Sequence, residues 1–179
     1  YGVTATALQL AQVYSTIARN GKILPVSFIK QDHEPEPLGQ VNIQPKYIKR
    51  VRKMMERVVQ VGGTALKAAI PGYKVSGKTG TVKKASKAGG YTEKDYISVF
   101  AGIAPASRPR LAMAIMIDDP QQDSYYGGAV AGPVFSQVMA GALRLMNISP
   151  DNIQHKSSSE SVTKQIDAII EKRDEQFLE

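Results

Sequence analysis

"YKVSGKTGTVKK", residues 73–84, alternates as a strand does, yet it carries lysines, threonines and glycines where a buried strand carries Val, Ile and Leu. On an extended backbone Thr79 and Thr81 project to one side and Lys78 to the other. Two hydroxyls two residues apart can both donate to one carboxylate, with Lys78 supplying a fixed positive charge beside them. Gly80 removes the side chain that would hold a ligand off the backbone. The pattern predicts a strand, over 73–81, that binds an extended peptide along its edge and captures the peptide's terminal carboxylate.

Working outward, "YISVFAGIA" (96–104) and "RLAMAIMI" (110–117, the strand ending at 118) are apolar on both faces, as strands covered by helices on either side are. The short "PASRP" between them predicts antiparallel pairing, and a polar loop containing Gly89 and Gly90 precedes them. "TALQLAQVYSTIARNGK" predicts a helix. Thr6 and Gln9 form a capping box, Leu10, Tyr14 and Ile17 a stripe, and Asn20-Gly21 the stop. After a short extended piece and a Pro-rich loop, a second helix is predicted from Pro45 to Gln60, ending at Gly62-Gly63. Ile48, Val51, Met55 and Val58 form its apolar side. "TALKAAI" (64–70) reads as a further helical turn or two. "PVFSQVMAGALRLMN" reads as a helix with Pro133 near its start, and Val134, Val138, Leu145 and the small Ala140-Gly141 are expected to pack on the sheet. The fold class is therefore α/β: an antiparallel sheet with helices on both faces. From Ser149 the chain turns polar and Ser-rich, then weakly amphipathic through Val162, Ile166, Ile169 and Ile170. A mobile linker and a marginal terminal helix are expected there.

The totals exclude several chemistries. The 179 residues suffice for one domain, and no apolar run approaches the roughly 20 residues that span a bilayer. Cysteine is absent, ruling out disulfides and thiol catalysis. His33 and His155 lie far apart in polar stretches, so neither a metal site nor a cofactor is expected. The net charge of +7 invites nucleic acid. Much of it, however, sits on Lys49, Lys53 and Arg57, the solvent side of the second helix, and on the loop of Lys83, Lys84 and Lys87, so no nucleic-acid partner is expected. Asp118 and Asp119, adjacent on a strand, point to opposite faces and read as a turn rather than a carboxylate dyad.

The run "SGKTGT", with Gly72-Tyr73 before it, "FAGIAPAS" and "PR" on the next hairpin, and "YYGGAVAGPVFSQVMAGALRLMNISPDN" after it, resembles class B penicillin-binding proteins. "YGVTATALQLAQVYSTIARNG" matches the same family, with Ala7 where relatives commonly have proline. The likeness covers about residues 1–154, leaves 155–179 as a separate tail, and is strongest to the division-specific penicillin-binding protein 3 group of Gram-negative bacteria.

That resemblance implies the penicillin-binding-protein/serine β-lactamase fold, here its C-terminal half. It implies a D,D-transpeptidase that crosslinks peptidoglycan stem peptides during septal wall synthesis and is the target of β-lactams. By motif, Lys78 would assist proton relay, while Thr79, Gly80 and Thr81 would hold the D-Ala-D-Ala carboxylate. The Thr81 N–H would form half of the oxyanion hole. Tyr96, Tyr125 and Tyr126 would form an aromatic wall, with Gly127 beside it in the substrate site. The family's Ser-x-Asn does not occur in the chain. Its Ser-x-x-Lys occurs at Ser27–Lys30 and Ser161–Lys164, both out of context. The nucleophile is therefore expected in an upstream half of the same protein, without which this chain would be inactive. By resemblance that half would carry the anchor to the inner membrane, with the domain on its periplasmic side among division-machinery partners. A D,D-carboxypeptidase or β-lactamase relative, and a non-catalytic β-lactam-like or peptide-binding fragment, remain the alternatives.

Overall fold

The computed structural model describes residues 3–85, 89–121 and 124–152, with the backbone alone at 93 and 94. Helix α1 (Ala7–Ala18) starts where the capping box stands. The Gln9 N–H donates to Thr6 Oγ1 at 3.2 Å, and the Thr6 N–H to Gln9 Oε1 at 2.8 Å. It stops at Asn20 and Gly21, whose positive φ values of 56° and 100° turn the chain out of the helix. The two-residue strands β1 (Lys22–Ile23) and β2 (Gly39–Gln40) pair antiparallel and lead into α2 (Pro45–Met55). The α-helix expected to reach Gln60 gives way at Met55 to a tighter 3₁₀ turn, Glu56–Val59. The chain doubles back there so that the Ala65 N–H can reach the Val58 carbonyl at 2.8 Å. Residues 64–70 contribute only a 3₁₀ turn, Leu66–Ala68.

Strands β3 (Ser76–Ala85), β4 (Tyr91–Ala104) and β5 (Leu111–Asp118) form one antiparallel sheet in that order. β3 starts three residues later than its alternation predicts, because the backbone of 73–75 is engaged elsewhere. The Lys74 N–H donates to Asp151 Oδ1 at 2.7 Å, and the Lys74 carbonyl accepts from the Ala106 N–H at 2.8 Å. β3 and β4 also run further toward their connecting loop than expected, pairing through Lys83↔Tyr96 and Ala85↔Tyr91. Polar residues there concealed a ladder that backbone pairing sustains. At the far end Asp118 pairs with Lys84 at 2.9 Å, while Asp119 turns away with φ 51°.

Helix α3 (Gly127–Leu145) covers the face of the sheet that carries Phe100. Phe100 meets Phe135 edge-to-face at 4.7 Å, and with Met139, Leu143, Val75 and Ile70 they form the core. Residues 111, 113, 115 and 117 of β5 line the same face. The opposite face is covered by α1 and α2, where the buried Ser76 donates to the Arg52 carbonyl at 2.8 Å. Helices thus flank both faces, as expected. Of the expected packing residues of α3, Ala140 does meet the core, but the others are corrected. Val134, Val138 and Leu145 are 38%, 51% and 90% exposed, and a Cβ on Gly141 would meet nothing within 4 Å. The helix also begins six residues before Pro133. The large Phe135, Met139 and Leu143, one turn apart each, take the core-facing row. Among the described residues no helix is long and apolar enough to cross a membrane. The expected tail helix, His155 and Ser161–Lys164 lie outside the described residues.

Candidate active site

The pairing register sorts the candidate residues by face. Thr79 pairs with Phe100, Thr81 with Ser98 and Lys83 with Tyr96. Since residues two apart share a face, Thr79, Thr81, Ser98 and Tyr96 project toward α3. Lys78 pairs with Ala101 and projects to the α2 side. Its flexible stem brings Nζ back to the Thr79 carbonyl at 2.9 Å and Thr79 Oγ1 at 3.5 Å. Lys78 also borders a cleft of about 390 Å³ lined by Val51, Met54, Met55 and Val61.

The loop leading into α3 is fastened to this sheet by side-chain hydroxyls. Ser98 Oγ donates to the Tyr125 carbonyl, and the Gly127 N–H donates to Thr81 Oγ1 at 3.1 Å. Gly127 has to be glycine, since a Cβ there would stand 2.2 Å from the Val99 carbonyl oxygen and 2.4 Å from that of Gly80. A Cβ at Gly80 would meet only Val99 Cβ, at an ordinary 3.4 Å. Packing therefore does not require glycine at 80.

Hung from these bonds is an aromatic stack. Tyr96 and Tyr125 lie 4.0 Å apart with rings 9° from parallel, and Tyr126 follows at 4.6 Å. The Tyr125 and Tyr126 hydroxyls are 3.4 Å apart, and this contact, with little burial, holds the Tyr126 phenol above its ordinary pKa. The structure thus brings Thr79, Thr81, Tyr96, Tyr125, Tyr126 and Gly127 to one end of one sheet face, with the Lys78 ammonium reaching Thr79 from the other.

One neighbour escaped the sequence reading. Thr64, exposed, shares a hydrogen bond with Thr79 at 3.2 Å between hydroxyls. It stands at the end of a turn in which a Cβ on Gly63 would lie 2.3 Å from the Arg57 carbonyl oxygen. A Cβ on Gly128 would lie 1.9 Å from the Thr64 carbonyl oxygen. Two glycines thus fix a residue whose hydroxyl faces the candidate site. The signal was "GGT", but its meaning depends on Gly128, far away in sequence.

Ser27–Lys30 is not part of this site, and Ser161–Lys164 lies outside the described residues. Ser27 Oγ is engaged with the Ile29 N–H at 3.1 Å and the Ile29 carbonyl at 2.7 Å in a bend far from a helical turn. His33 is exposed, and among the described residues no cluster of His, Cys, Asp and Glu could hold a metal.

Comparison with known proteins gives a consistent result. Residues 1–140 match the family described as the penicillin binding protein transpeptidase domain. The chain is 46% identical over 165 residues to the peptidoglycan D,D-transpeptidase FtsI of Escherichia coli (strain K12), covering 92% of this chain and 28% of that protein. It is 48% identical over 159 residues to FtsI of Buchnera aphidicola subsp. Schizaphis graminum, covering 88% and 27%. The apo structure of the TP domain from Burkholderia pseudomallei penicillin-binding protein 3 superposes with a TM-score of 0.75 at 40% identity. That match covers 86% of this chain and 46% of that one. The chain therefore spans less than a third of the length of these two curated relatives.

Proposed function

The chain belongs to the penicillin-binding-protein transpeptidase family, and from that premise we propose that it supplies the carboxylate-binding wall of a peptidoglycan D,D-transpeptidase. The observation that carries the reading is the convergence of the Thr79 and Thr81 hydroxyls and the tyrosine stack on one sheet face. The donor stem peptide lies along the edge of β3 with its terminal D-Ala carboxylate at Thr79 and Thr81 and near the Lys78 charge. A serine oxygen bonds to the penultimate D-Ala carbonyl carbon, with the Thr81 N–H stabilising the oxyanion. The C–N bond then breaks, the leaving D-Ala amine takes a proton, and an amine of a neighbouring stem peptide later displaces the serine. A β-lactam presents the same carboxylate and amide and leaves the serine acylated.

The serine belongs, in this proposal, to another segment of the same protein, approaching through the cleft beside Lys78. The engagement of Ser27 in its own bend and the absence of Ser-x-Asn support that assignment. Residues 1–154 then form the C-terminal half of the transpeptidase domain, with 155–179 outside it. Septal wall synthesis, contact with division proteins and a place on the periplasmic side of the inner membrane are inferred from the likeness to FtsI proteins.

The test is intact-mass spectrometry of the intact protein after incubation with a penicillin, with mapping of the adduct. The expected adduct lies on a serine outside these 179 residues. Thr81→Val should slow its formation about 10- to 100-fold, the loss of one hydrogen bond to a charged group. An adduct on Ser27 or Ser161 overturns the division of labour, and an unmodified protein overturns the activity.

A further inference from the structure

Helix α2 and the 3₁₀ turn after it present a row of cations with no acidic partner among the described residues. Lys46, Lys49, Arg50, Lys53 and Arg57 are all exposed, and none forms an ion pair among the described residues. Lys46 and Arg50, Lys49 and Lys53, and Lys53 and Arg57 stand four residues apart, the spacing at which like charges on a helix repel. Continuing that face past the helix come Glu56 and Gln60. With Val59 they wall a cleft of about 380 Å³ against residues 69–75, and Asn152 lines the same cleft. The Asn152 N–H is fixed there, donating to the Gly72 carbonyl at 3.0 Å. The chain therefore leaves the described body beside the end of α2.

Beyond Asn152 the chain is opposite in charge. Residues 153–179 carry six acidic residues against four basic ones, a net of −2, while residues 1–152 carry +9. From Asp167 onward there are five acids against Lys172 and Arg173. Val162, Ile166, Ile169 and Ile170 recur at the spacing of one helical face, and at that spacing Asp167 and Asp174 border the Ile170 side of it. Tyr47 of α2, 47% exposed, likewise borders the cations. The nine residues 153–161 reach roughly 30 Å when extended, against about 16 Å for the whole of α2. A segment tethered at the end of the surface it matches meets it at an effective concentration of about millimolar, which favours a molecule's own tail over that of a second copy.

We propose that residues 162–179 dock back on the cationic face of α2 in the same molecule, acids against Lys49 and Lys53. It uses only the outer, cationic side of α2 and leaves the cleft of Val51 and Met54 to the serine-bearing segment, so it does not rest on the transpeptidase reading. Zero-length carbodiimide coupling of the intact protein, which joins only carboxylates and amines already in contact, tests it. Peptide mapping should find amides linking Asp167, Glu171, Asp174 or Glu175 to Lys46, Lys49 or Lys53. The yield should fall several-fold in 1 M salt, where charges are screened beyond about 3 Å. Lys49→Glu with Lys53→Glu should also cut the remaining links at Lys46 several-fold, and adding Asp167→Lys with Glu171→Lys should restore coupling in reversed polarity, between positions 167 or 171 and positions 49 or 53. These exposed positions leave the buried Ile48 of α2 untouched. Links spread evenly over Lys22, Lys67 and Lys74, or no links, overturn the proposal. So do isotopically mixed pairs from a blend of nitrogen-14 and nitrogen-15 protein, which assign the surface to a second copy.

Discussion

Where α3 covers the sheet, Phe100, Phe135, Met139 and Leu143 are all 0% exposed. Where α1 covers it, the helix contributes no buried residue at all. There Leu8 and Val13 stand half-exposed, and a cleft of about 620 Å³ opens between α1, Ile23, Val41 and Ile48. The two faces belong to one sheet and are comparably apolar in sequence, so composition does not explain the contrast. The α3 face is closed by residues of this chain. The α1–α2 face leaves apolar surface open, which in the proposed function the serine-bearing segment would cover.

Three substitutions bear on that contrast. Phe135→Ala removes half of the Phe100 pair and should cost about 3–5 kcal/mol, read as a lowered urea midpoint in the intact protein. A cost under about 1 kcal/mol would show that the α3 face is not the finished one. Gly127→Ala pushes a methyl into the Val99 and Gly80 carbonyls and should cost about 1–3 kcal/mol while also slowing penicillin acylation. A variant of full stability and full rate would detach the helix start from the site. Val13→Ser should change the stability of the 179-residue chain by less than about 0.5 kcal/mol, as exposed positions do. In the intact protein the same change should cost more, as the proposed cover of the α1 face by the serine-bearing segment requires. Equal costs in both would remove the distinction between the faces.

The legible parts of this molecule are those whose bonds are local. The α1 start could be read because Thr6 and Gln9 are three residues apart, and the β4–β5 hairpin because five residues join two apolar runs. The common face of Thr79 and Thr81 comes from strand geometry alone. The α3 face could not be chosen in advance, since Val134 and Phe135, like Val138 and Met139, are adjacent apolar residues and only the sheet selects between them. Thr64 was invisible because its position is fixed by Gly128, and the end of α2 because a backbone bond to Ala65 tightens it. The tyrosines became candidates through family likeness. Their stacking depends on Ser98 and Thr81 holding a loop 27 and 46 residues further along the chain.

The bond between Thr81 and the start of α3 reaches beyond anchoring. A hydroxyl has a single proton, and the Gly127 N–H already occupies a lone pair of Thr81 Oγ1. What this hydroxyl has left to offer an incoming group is chiefly its hydrogen. A partner that brings only electrons, such as an anionic chain end, finds the oxygen already turned to serve it. An amide NH₂ or an ammonium in the same place would find one lone pair where a free hydroxyl offers two. In the proposed function this bond would favour an anionic peptide terminus over a cationic one, and its other end lies in the backbone of a helix.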